Sequence, residues 1–326
     1  MRSRPLGTSG LRLTELGLGA STLGNLGRAM TDEDAEALVR GAWDRGIRYF
    51  DTAPHYGLGL SERRLGAVLR QRPRDEYVIS TKVGRLLEPH PRPTALDDDG
   101  FVVPGDVRRV WDFSRDGVRR SLDASLDRLG LDHVDTVYAH DPDQHSPDSG
   151  LRALEALAEL RDQKVVRAIG VGTNAPHRVP GLFTSGLADV VMVAGRFTLL
   201  EQGALRSALE PARDAGVAIV VAGVFNSGLL SRPWPPDDAL YEYGPAPAEM
   251  LSRARRIAEI CRRHGTTLPA AAVELPLMHP AVTAVVLGAR DSAQLDMNVD
   301  RHDQGVPAEL WSDLVAAGLL EPAALS

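Results

Sequence analysis

The sequence predicts a (β/α)8 barrel, and three observations favour this fold over other α/β arrangements. Eight short β-rich runs alternate with amphipathic helical stretches along the 326 residues. Each run is almost continuously apolar, which is typical of parallel strands covered on both faces. A doubly wound open sheet, the main alternative, usually carries G-x-G-x-x-G after its first strand. Here Gly17-Leu18-Gly19 is followed by Ala20-Ser21-Thr22, so the third glycine is absent.

The predicted strands are spaced along the whole chain. They comprise residues 16–20, 47–51, 77–82, 134–140, 167–171, 190–193, 217–222 and 283–287. Residues 1–326 are therefore predicted to form a single (β/α)8 domain, a TIM barrel with extended loops at its C-terminal face.

The stretches between these runs carry start and stop signals for helices. Thr31 precedes an acidic turn and is predicted to cap the first helix. Apolar residues at positions 118, 122, 126 and 129 follow a 3.6-residue period, as do those at 154, 157 and 160. We expect Gly265 to follow the end of one helix and Pro269 to lie in the first turn of the next. Pro180 and Pro211 interrupt two further predicted helical stretches.

Composition and charge argue against several classes of protein. Cys261 is the single cysteine, so a disulfide framework is impossible and a reducing compartment is favoured. The net charge of −7 disfavours a nucleic acid or an anionic membrane surface as a partner. The longest apolar runs are far shorter than the ~18 residues that a bilayer span needs. With no readable signal peptide, we expect a cytoplasmic protein. The sequence makes no prediction of its oligomeric state.

Three ionisable residues stand at the ends of consecutive predicted strands: Asp51, Lys82 and His140. Chemistry in (β/α)8 barrels takes place at the C-terminal ends of the strands, and neighbouring strands lie ~4.8 Å apart. Asp51 and Lys82 can therefore pair, and His140 can reach the same pocket. Tyr56 follows in a loop that could fold back over the barrel mouth. Each residue could instead be a solvated loop residue, but four at one mouth favour a functional site.

A lysine beside a tyrosine has a specific chemical use. We expect the charge of Lys82 to favour the phenolate and to lower the pKa of Tyr56 from ~10 toward the working range. Asp51 would keep Lys82 charged and oriented, and His140 could donate to a carbonyl oxygen. These roles predict a general-acid site that protonates an oxygen as hydride arrives on carbon.

The same residues lie in an ordered set of motifs that resembles the aldo-keto reductase superfamily. The resemblance extends over nearly the whole chain and implies NAD(P)-linked interconversion of carbonyls and alcohols in a (β/α)8 barrel. It also implies that Asp51, Tyr56, Lys82 and His140 form a catalytic tetrad, with Tyr56 as the proton donor in reduction and the base in oxidation. The motifs are residues 46–53 (GIRYFDTA), Tyr56-Gly57, Ser61-Glu62, Leu65-Gly66, Ser80-Thr81-Lys82, His140 and Gly288-Ala289-Arg290.

The resemblance also assigns residues to the cofactor, and it favours this role over the alternative of an ordinary loop and helix cap after the eighth strand. These residues are Gly19, Ser21, Asp51, Asn174, Phe225, Asn226, Ser227, Leu229, Gly288, Ala289, Arg290, Gln294 and Asn298. The 2′-phosphate of NADP favours two or more cationic donors. Arg290 is the single cation of its segment, with Asp291 and Asp296 close by. The sequence therefore slightly favours NAD or dual use over strict NADP.

This chain departs from the common pattern of the family in several places. The interval between Lys82 and His140 is long, and we expect the residues from about 84 to 113 to form an extended loop. Ala194 stands where many relatives have a glutamine that holds the nicotinamide amide. Phe225 is the nearest substitute for the aromatic residue that usually stacks on nicotinamide, and Asn174 aligns only with a shift of one residue.

Runs at 19–20, 23–26, 194–202 and 225–228 resemble one branch of the superfamily, the D-threo-aldose 1-dehydrogenases and pyridoxal dehydrogenases. This likeness implies oxidation of a cyclic aldose at its anomeric carbon to a lactone. A different small aldehyde or ketone, including a pyridoxal-like one, is the alternative substrate. His55, Trp111 and Trp234 suit a hydroxylated ring, or else pack the loops on themselves.

Other functions stay open on the sequence alone. No metal site is expected, because the nine histidines are scattered and there is no cysteine pair. A cofactor-binding, redox-sensing module with little turnover would explain the altered nicotinamide contacts. A cofactor-free lyase or isomerase would use Lys82 as a Schiff base. The expected partner is a small-molecule substrate, a sugar or another polar carbonyl compound.

Overall fold

Eight parallel strands close into a barrel in the computed structural model, which describes residues 1–242 and 244–326. Each strand pairs with the next along the chain, and the last pairs with the first. All eight predicted strands are present, with bounds shifted by at most two residues, so the predicted (β/α)8 barrel is confirmed. The strands are β1 (Leu16–Gly19), β2 (Tyr49–Asp51), β3 (Val78–Val83), β4 (Thr136–His140), β5 (Ala168–Thr173), β6 (Val190–Ala194), β7 (Ala218–Ala222) and β8 (Val282–Leu287).

Nine α-helices within the described residues surround the strands. Asp34 N donates to Thr31 Oγ1 at 3.1 Å, which confirms the predicted cap of the first helix. None of the described helices combines the length and the apolar character that crossing a bilayer demands. The helices are α1 (Asp32–Asp44), α2 (Leu60–Leu69), α3 (Arg115–Leu129), α4 (Ser149–Asp162), α5 (Glu210–Ala215), α6 (Ala248–Arg263), α7 (Leu268–Met278), α8 (Ser292–Gln304) and α9 (Ala308–Ala316).

The two stretches interrupted by proline differ from the sequence prediction. Between β5 and β6 the chain forms a short 3-10 turn, Pro176–Arg178, in place of the predicted helix. Pro180 has no N–H to continue a helix, and Gly181 takes a left-handed conformation (φ +72). Before α5, residues Leu205–Leu209 form a π-helical turn. Pro211 then lies in the first turn of α5, which follows the π-helical turn directly.

The barrel has a core of its own, separate from the layer between strands and helices. Tyr49, Tyr138 and Met192 are among the buried side chains that fill its interior. Leu6 and Leu13 join this cluster from an N-terminal hairpin, Ser3–Pro5 paired with Arg12–Thr14. Because this hairpin bonds to the start of β2, it closes the N-terminal end of the barrel and leaves the other end open for chemistry.

Residues 84–113 do not form the extended loop expected from the sequence. They form an antiparallel hairpin, Arg85–Thr94 paired with Gly105–Trp111. Its tip is tied to the loop after β1 by a bridge between Leu26 and Phe101. The Phe101 ring lies 6.2 Å from the Tyr56 ring, so the hairpin lies over the open end of the barrel.

Helices α2 and α3 touch at backbone distance where α2 carries Gly66. A Cβ added there would lie 2.0 Å from the Leu129 carbonyl oxygen. We predict that Gly66→Ala lowers the free energy of unfolding by about 1–3 kcal/mol, because the helices must separate. Thermal unfolding would show this as a melting temperature several degrees lower. Gly203→Ala is the matched control, since a Cβ there meets nothing within 4 Å. Equal melting temperatures for the two variants would contradict this account of the packing.

Candidate active site

The ends of β2, β3 and β4 place three ionisable side chains side by side inside the open end of the barrel. Lys82 Nζ donates to Asp51 Oδ2 at 2.6 Å and to the Thr52 carbonyl oxygen at 3.0 Å. Asp51 and Lys82 are each 2% exposed, and His140 is 7% exposed. The pairing expected from the strand ends is therefore present and shielded from water.

Tyr56 reaches the same place from the loop after β2. Gly57 takes a left-handed conformation (φ +60), and a Cβ there would lie 2.2 Å from the Gly24 carbonyl oxygen. This close approach holds the Tyr56 loop against the loop after β1. Lys82 Nζ lies 4.9 Å from the centre of the Tyr56 ring, and the Tyr56 and His140 rings are 5.9 Å apart and nearly perpendicular. The structure thus brings the four predicted tetrad residues together.

Burial and pairing act in opposite directions on the ionisation of this cluster. Burial alone would lower the pKa of Lys82, but Asp51 and Tyr56 raise it above its ordinary value. Burial raises the pKa of Tyr56, and Lys82 offsets only part of that rise. The expectation that the Tyr56 pKa lies below its ordinary value is therefore wrong here, because desolvation of the phenolate outweighs its attraction to Lys82.

His140 is held neutral beside the cations Lys82 and Arg85. Burial, together with Arg85 and Lys82, lowers the pKa of His140 well below its ordinary value. Its Nδ1 is buried without a hydrogen-bond partner in the described part of the chain. Its Nε2 lies 3.6 Å from Asp141 Oδ2, which is too far for a hydrogen bond. A neutral imidazole in this state can donate one hydrogen bond to an oxygen in the cleft.

A second ion pair, which the sequence analysis did not assign to the site, lies beside the first. Arg85 donates to Asp141 Oδ2 at 2.6 Å and contacts His55 Nδ1 at 3.2 Å. Because a guanidinium only donates, His55 Nδ1 accepts and Nε2 carries the proton. Burial and the nearby cations lower the pKa of His55 to about 2, so this ring is neutral. Arg85 follows Lys82 by three residues, and Asp141 follows His140 directly. Including the residues just beyond the predicted strand ends would therefore have identified both.

These groups line one cleft of about 820 Å³ at the open end of the barrel. Five of the residues predicted to bind the cofactor line it as well. They are Gly19, Ser21, Asp51, Asn174 and Gly288. Ala194 lines it at the end of β6, the position where the sequence analysis noted a missing glutamine. Small residues therefore form much of the cleft floor beside the tetrad.

The predicted cofactor residues that follow β7 lie outside this lining. Phe225 is half-buried against the outer core, Leu229 is fully buried, and Ser227 is exposed. Asn226 Nδ2 donates to the Gly195 carbonyl oxygen at 3.4 Å, while its buried Oδ1 has no partner among the described residues. The turn thus carries one buried acceptor without a hydrogen bond.

The predicted cofactor residues after β8 form a separate group. Arg290 N donates to Gln294 Oε1 at 3.0 Å, so the Gln294 side chain is engaged in closing its own turn. Arg290 lines a small cavity together with Arg28, which the sequence analysis did not consider. Ala289 and Asn298 are buried.

The three candidate substrate residues are not all at the tetrad. His55 lines the cleft. Trp111 lies against Arg85, 4.4 Å from the guanidinium carbon, and lines a neighbouring cavity of about 300 Å³. Trp234 is 53% exposed and borders a groove with residues of α6, apart from the lining of the tetrad cleft. No group of three metal-binding side chains occurs within residues 1–242 and 244–326.

Comparison with known proteins agrees with this arrangement. The profile of the aldo/keto reductase family matches residues 15–317. The chain is 49% identical to D-threo-aldose 1-dehydrogenase of a Pseudomonas species over 96% of each chain, and 39% identical to pyridoxal 4-dehydrogenase of Microbacterium luteolum over 97% of each. An aldo-keto reductase of Bacillus halodurans, solved in its holo form, superposes with a TM-score of 0.76 at 25% identity, covering 98% of this chain and 97% of that one. The chain therefore belongs to the aldo/keto reductase family and is an oxidoreductase.

Proposed function

We propose that this protein oxidises an aldose at C1 to the lactone with NAD(P), using Tyr56 as the general acid and base. The observation that carries the proposal is the convergence of Tyr56, Lys82, Asp51 and His140 on one cleft. The 49% identity to a D-threo-aldose 1-dehydrogenase supports the aldose. A different small aldehyde or ketone, such as a pyridoxal-like one, is the second candidate, and the 39% identity to a pyridoxal 4-dehydrogenase favours it.

Members of this family use a nicotinamide cofactor, and the residues of this chain fit one. Gly19 and Gly288 line the cleft without adding side chains to it, and Ser21 and Asn174 offer polar groups. The Oδ1 of Asn226, which has no hydrogen-bond partner in residues 1–242 and 244–326, offers a further acceptor at the turn after β7. These residues would hold the cofactor, together with Phe225, Ser227, Leu229, Ala289, Arg290, Gln294 and Asn298. When bound, the nicotinamide ring exchanges a hydride with the substrate carbon.

The choice between NAD and NADP depends on cations near Arg290. Arg28 lines the same small cavity, so two guanidinium groups are available there. A 2′-phosphate favours two cationic donors, whereas Asp34 in the same cavity disfavours an added anion. This balance supports NAD or dual use, which fluorescence titration with NADH and NADPH would measure.

The protein's own residues transfer the proton and stabilise the charge that develops during the reaction. In oxidation, the Tyr56 phenolate would take the proton from the C1 hydroxyl as the hydride leaves C1, so the substrate loses two electrons and two hydrogens. Lys82 stabilises the phenolate, and Asp51 keeps Lys82 charged and in place. Neutral His140 can donate to the substrate oxygen without repelling Lys82. In reduction, the Tyr56 phenol would return the proton to the carbonyl oxygen.

The second ion pair gives the cleft groups that suit a hydroxylated ring. Asp141 can accept a hydrogen bond from a sugar hydroxyl, while Arg85 and His55 Nε2–H can donate to one. Burial raises the pKa of Asp141 to about 6, and Arg85 offsets only part of that effect. Asp141 is therefore an acceptor above about pH 6 and loses its charge below it.

Replacing Tyr56 with Phe should leave cofactor binding intact and reduce turnover by about 100-fold or more, because the proton donor is removed. Steady-state kcat with a panel of aldoses, aldehydes and ketones measures turnover, and NADH fluorescence titration measures binding. Tyr77→Phe is the matched control, since Tyr77 is a buried tyrosine outside the cleft whose hydroxyl has no partner in the described structure. Undiminished turnover in Tyr56→Phe would show that Tyr56 is not the acid.

Cofactor binding without turnover of any substrate by the wild-type protein would favour a redox-sensing module.

Lys82→Met removes the cation that opposes the rise of the Tyr56 pKa. Oxidation needs the phenolate, so the rising limb of kcat against pH should move to higher pH, with a loss of rate of about 100-fold or more. The pH profile of kcat measures both effects. Lys164→Met is the control, because Lys164 is the other lysine of the chain and is exposed. A profile that coincides with that of the wild type would show that the two groups are not coupled.

Asp141→Asn should lower kcat/KM for an aldose by about 10- to 100-fold more than for a simple aldehyde without hydroxyls, because only the aldose loses a hydrogen bond to the Asp141 carboxylate. In the wild-type protein, KM for the aldose should rise as pH falls through about 6, because Asp141 becomes neutral. The Asn variant should lack this rise. Equal losses for both substrates would place the defect in the tetrad and not in sugar recognition.

A further inference from the structure

A layer of hydroxyl groups lies directly beneath the charged layer of the site. Inward-facing positions recur every second residue along a strand. Tyr49 precedes Asp51 by two residues on β2, Ser80 precedes Lys82 by two on β3, and Tyr138 precedes His140 by two on β4. The side chains of all three hydroxyl residues are fully buried. The barrel therefore carries two stacked layers of polar side chains on the same three strands.

The hydroxyl groups form a continuous chain that ends on the Asp51 carboxylate. Ser80 Oγ lies 2.7 Å from Asp51 Oδ1. The Tyr49 hydroxyl lies 3.1 Å from Ser80 Oγ and 3.2 Å from the Tyr138 hydroxyl. The other carboxylate oxygen, Oδ2, accepts from Lys82 at 2.6 Å. Asp51 is thus held on one side by the hydroxyl chain and on the other by the lysine.

The direction of this chain follows from the number of protons. An ionised carboxylate only accepts, so Ser80 must donate its single proton to Asp51. Ser80 then has no proton for Tyr49, so the Tyr49 hydroxyl donates to Ser80. By the same argument, the Tyr138 hydroxyl donates to Tyr49. All three hydroxyl dipoles point toward Asp51, and such aligned hydrogen bonds strengthen one another.

Apolar residues would fill the interior of a barrel at a lower cost in desolvation. The backbone is also adapted to keep Tyr49 in place, because a Cβ on Gly17 of β1 would lie 2.6 Å from the Tyr49 ring. Packing alone does not require three hydroxyl groups at these positions. Their shared end point on Asp51 gives them a role in the site.

We propose that Ser80, Tyr49 and Tyr138 are positioning residues that act through Asp51 on the Lys82–Tyr56 pair. They orient the Asp51 carboxylate so that Oδ2 faces Lys82, and their hydrogen bonds disperse part of the negative charge of Asp51. Asp51 then neutralises less of the positive charge of Lys82, so Lys82 stabilises the Tyr56 phenolate more strongly. This inference rests on the proposed role of Tyr56 as acid and base.

The charged and titratable groups around Tyr56 give the sign of the effect. Lys82 lowers the pKa of Tyr56, whereas Asp51 and Asp141 raise it. Arg85 faces Tyr56 from the hairpin, and neutral His140 and His55 contact its ring. Burial raises the pKa values of Tyr49 and Tyr138, so both remain protonated donors. Removing a donor from Asp51 leaves its charge less dispersed, which should raise the pKa of Tyr56 further.

The experiment compares four isosteric or nearly isosteric variants: Ser80→Ala, Tyr49→Phe, Tyr138→Phe and the control Tyr77→Phe. The readout is the pH profile of kcat for oxidation, with the best substrate of the wild-type protein. Ser80→Ala should move the rising limb upward by about half to one pH unit, the size expected for one lost hydrogen bond. Tyr49→Phe should give a smaller shift in the same direction and Tyr138→Phe the smallest, while Tyr77→Phe leaves the limb unmoved.

A merely structural role would lower stability without this graded shift. Profiles of Ser80→Ala and Tyr49→Phe that coincide with the wild type overturn the inference, provided that Tyr56→Phe is inactive. An active Tyr56→Phe overturns the proposed function instead, so the two failures are distinguishable. NADH titration confirms that each variant folds. If Ser80→Ala does not fold, Tyr49→Phe decides the question, because it removes one oxygen atom and keeps the ring in the barrel.

Discussion

The chemistry of this site depends on the buried ion pair between Lys82 and Asp51. Moving either charge out of water is unfavourable, and removing one partner of a buried pair typically costs about 3–5 kcal/mol. Here the pair is 2.6 Å long, almost inaccessible to water, and completed by the Thr52 carbonyl and the Ser80 hydroxyl. Because each partner is held by further hydrogen bonds, the ammonium stays fixed beside the Tyr56 ring. A lysine that was free to move would become solvated, and it would no longer stabilise the phenolate of Tyr56.

The second pair, Arg85 with Asp141, keeps the local charge balanced, and Arg85 adds to the effect of burial on the two histidines. Burial lowers the pKa of both His55 and His140, and Arg85, Arg109 and Lys82 lower it further, so both imidazoles are neutral. Neutral rings can donate to a substrate oxygen without adding positive charge to a site that already contains Lys82 and Arg85. The cleft therefore combines a fixed ammonium for the phenolate with neutral donors for the substrate.

Sequence patterns predicted the barrel strands and the tetrad because both depend on local rules. Apolar runs identify buried parallel strands, and the last residue of each run identifies the rim. The hairpin at 85–111 was not predicted, because only the length of the interval between Lys82 and His140 was considered; Pro89, Pro91 and Pro93 lie in its first strand. Prolines at every second position place their missing N–H groups along one edge of a strand, so the other edge can still pair. Likewise, the direction of the Tyr56 pKa needs the depth of burial, which a motif does not contain.

The hydroxyl layer shows most clearly which information a single sequence lacks. Each of its members is visible two residues before a tetrad position, but a tyrosine or serine in an apolar strand has many uses. The chain of hydrogen bonds exists because Asp51 stands opposite Ser80 in the ladder and Lys82 stands opposite Tyr138. A shift of one residue in either pairing would turn these side chains toward the helices and separate the hydroxyls from the carboxylate. Closure of the whole barrel sets the register of these three strands. This register places the three hydroxyl groups in one hydrogen-bonded chain that holds Asp51.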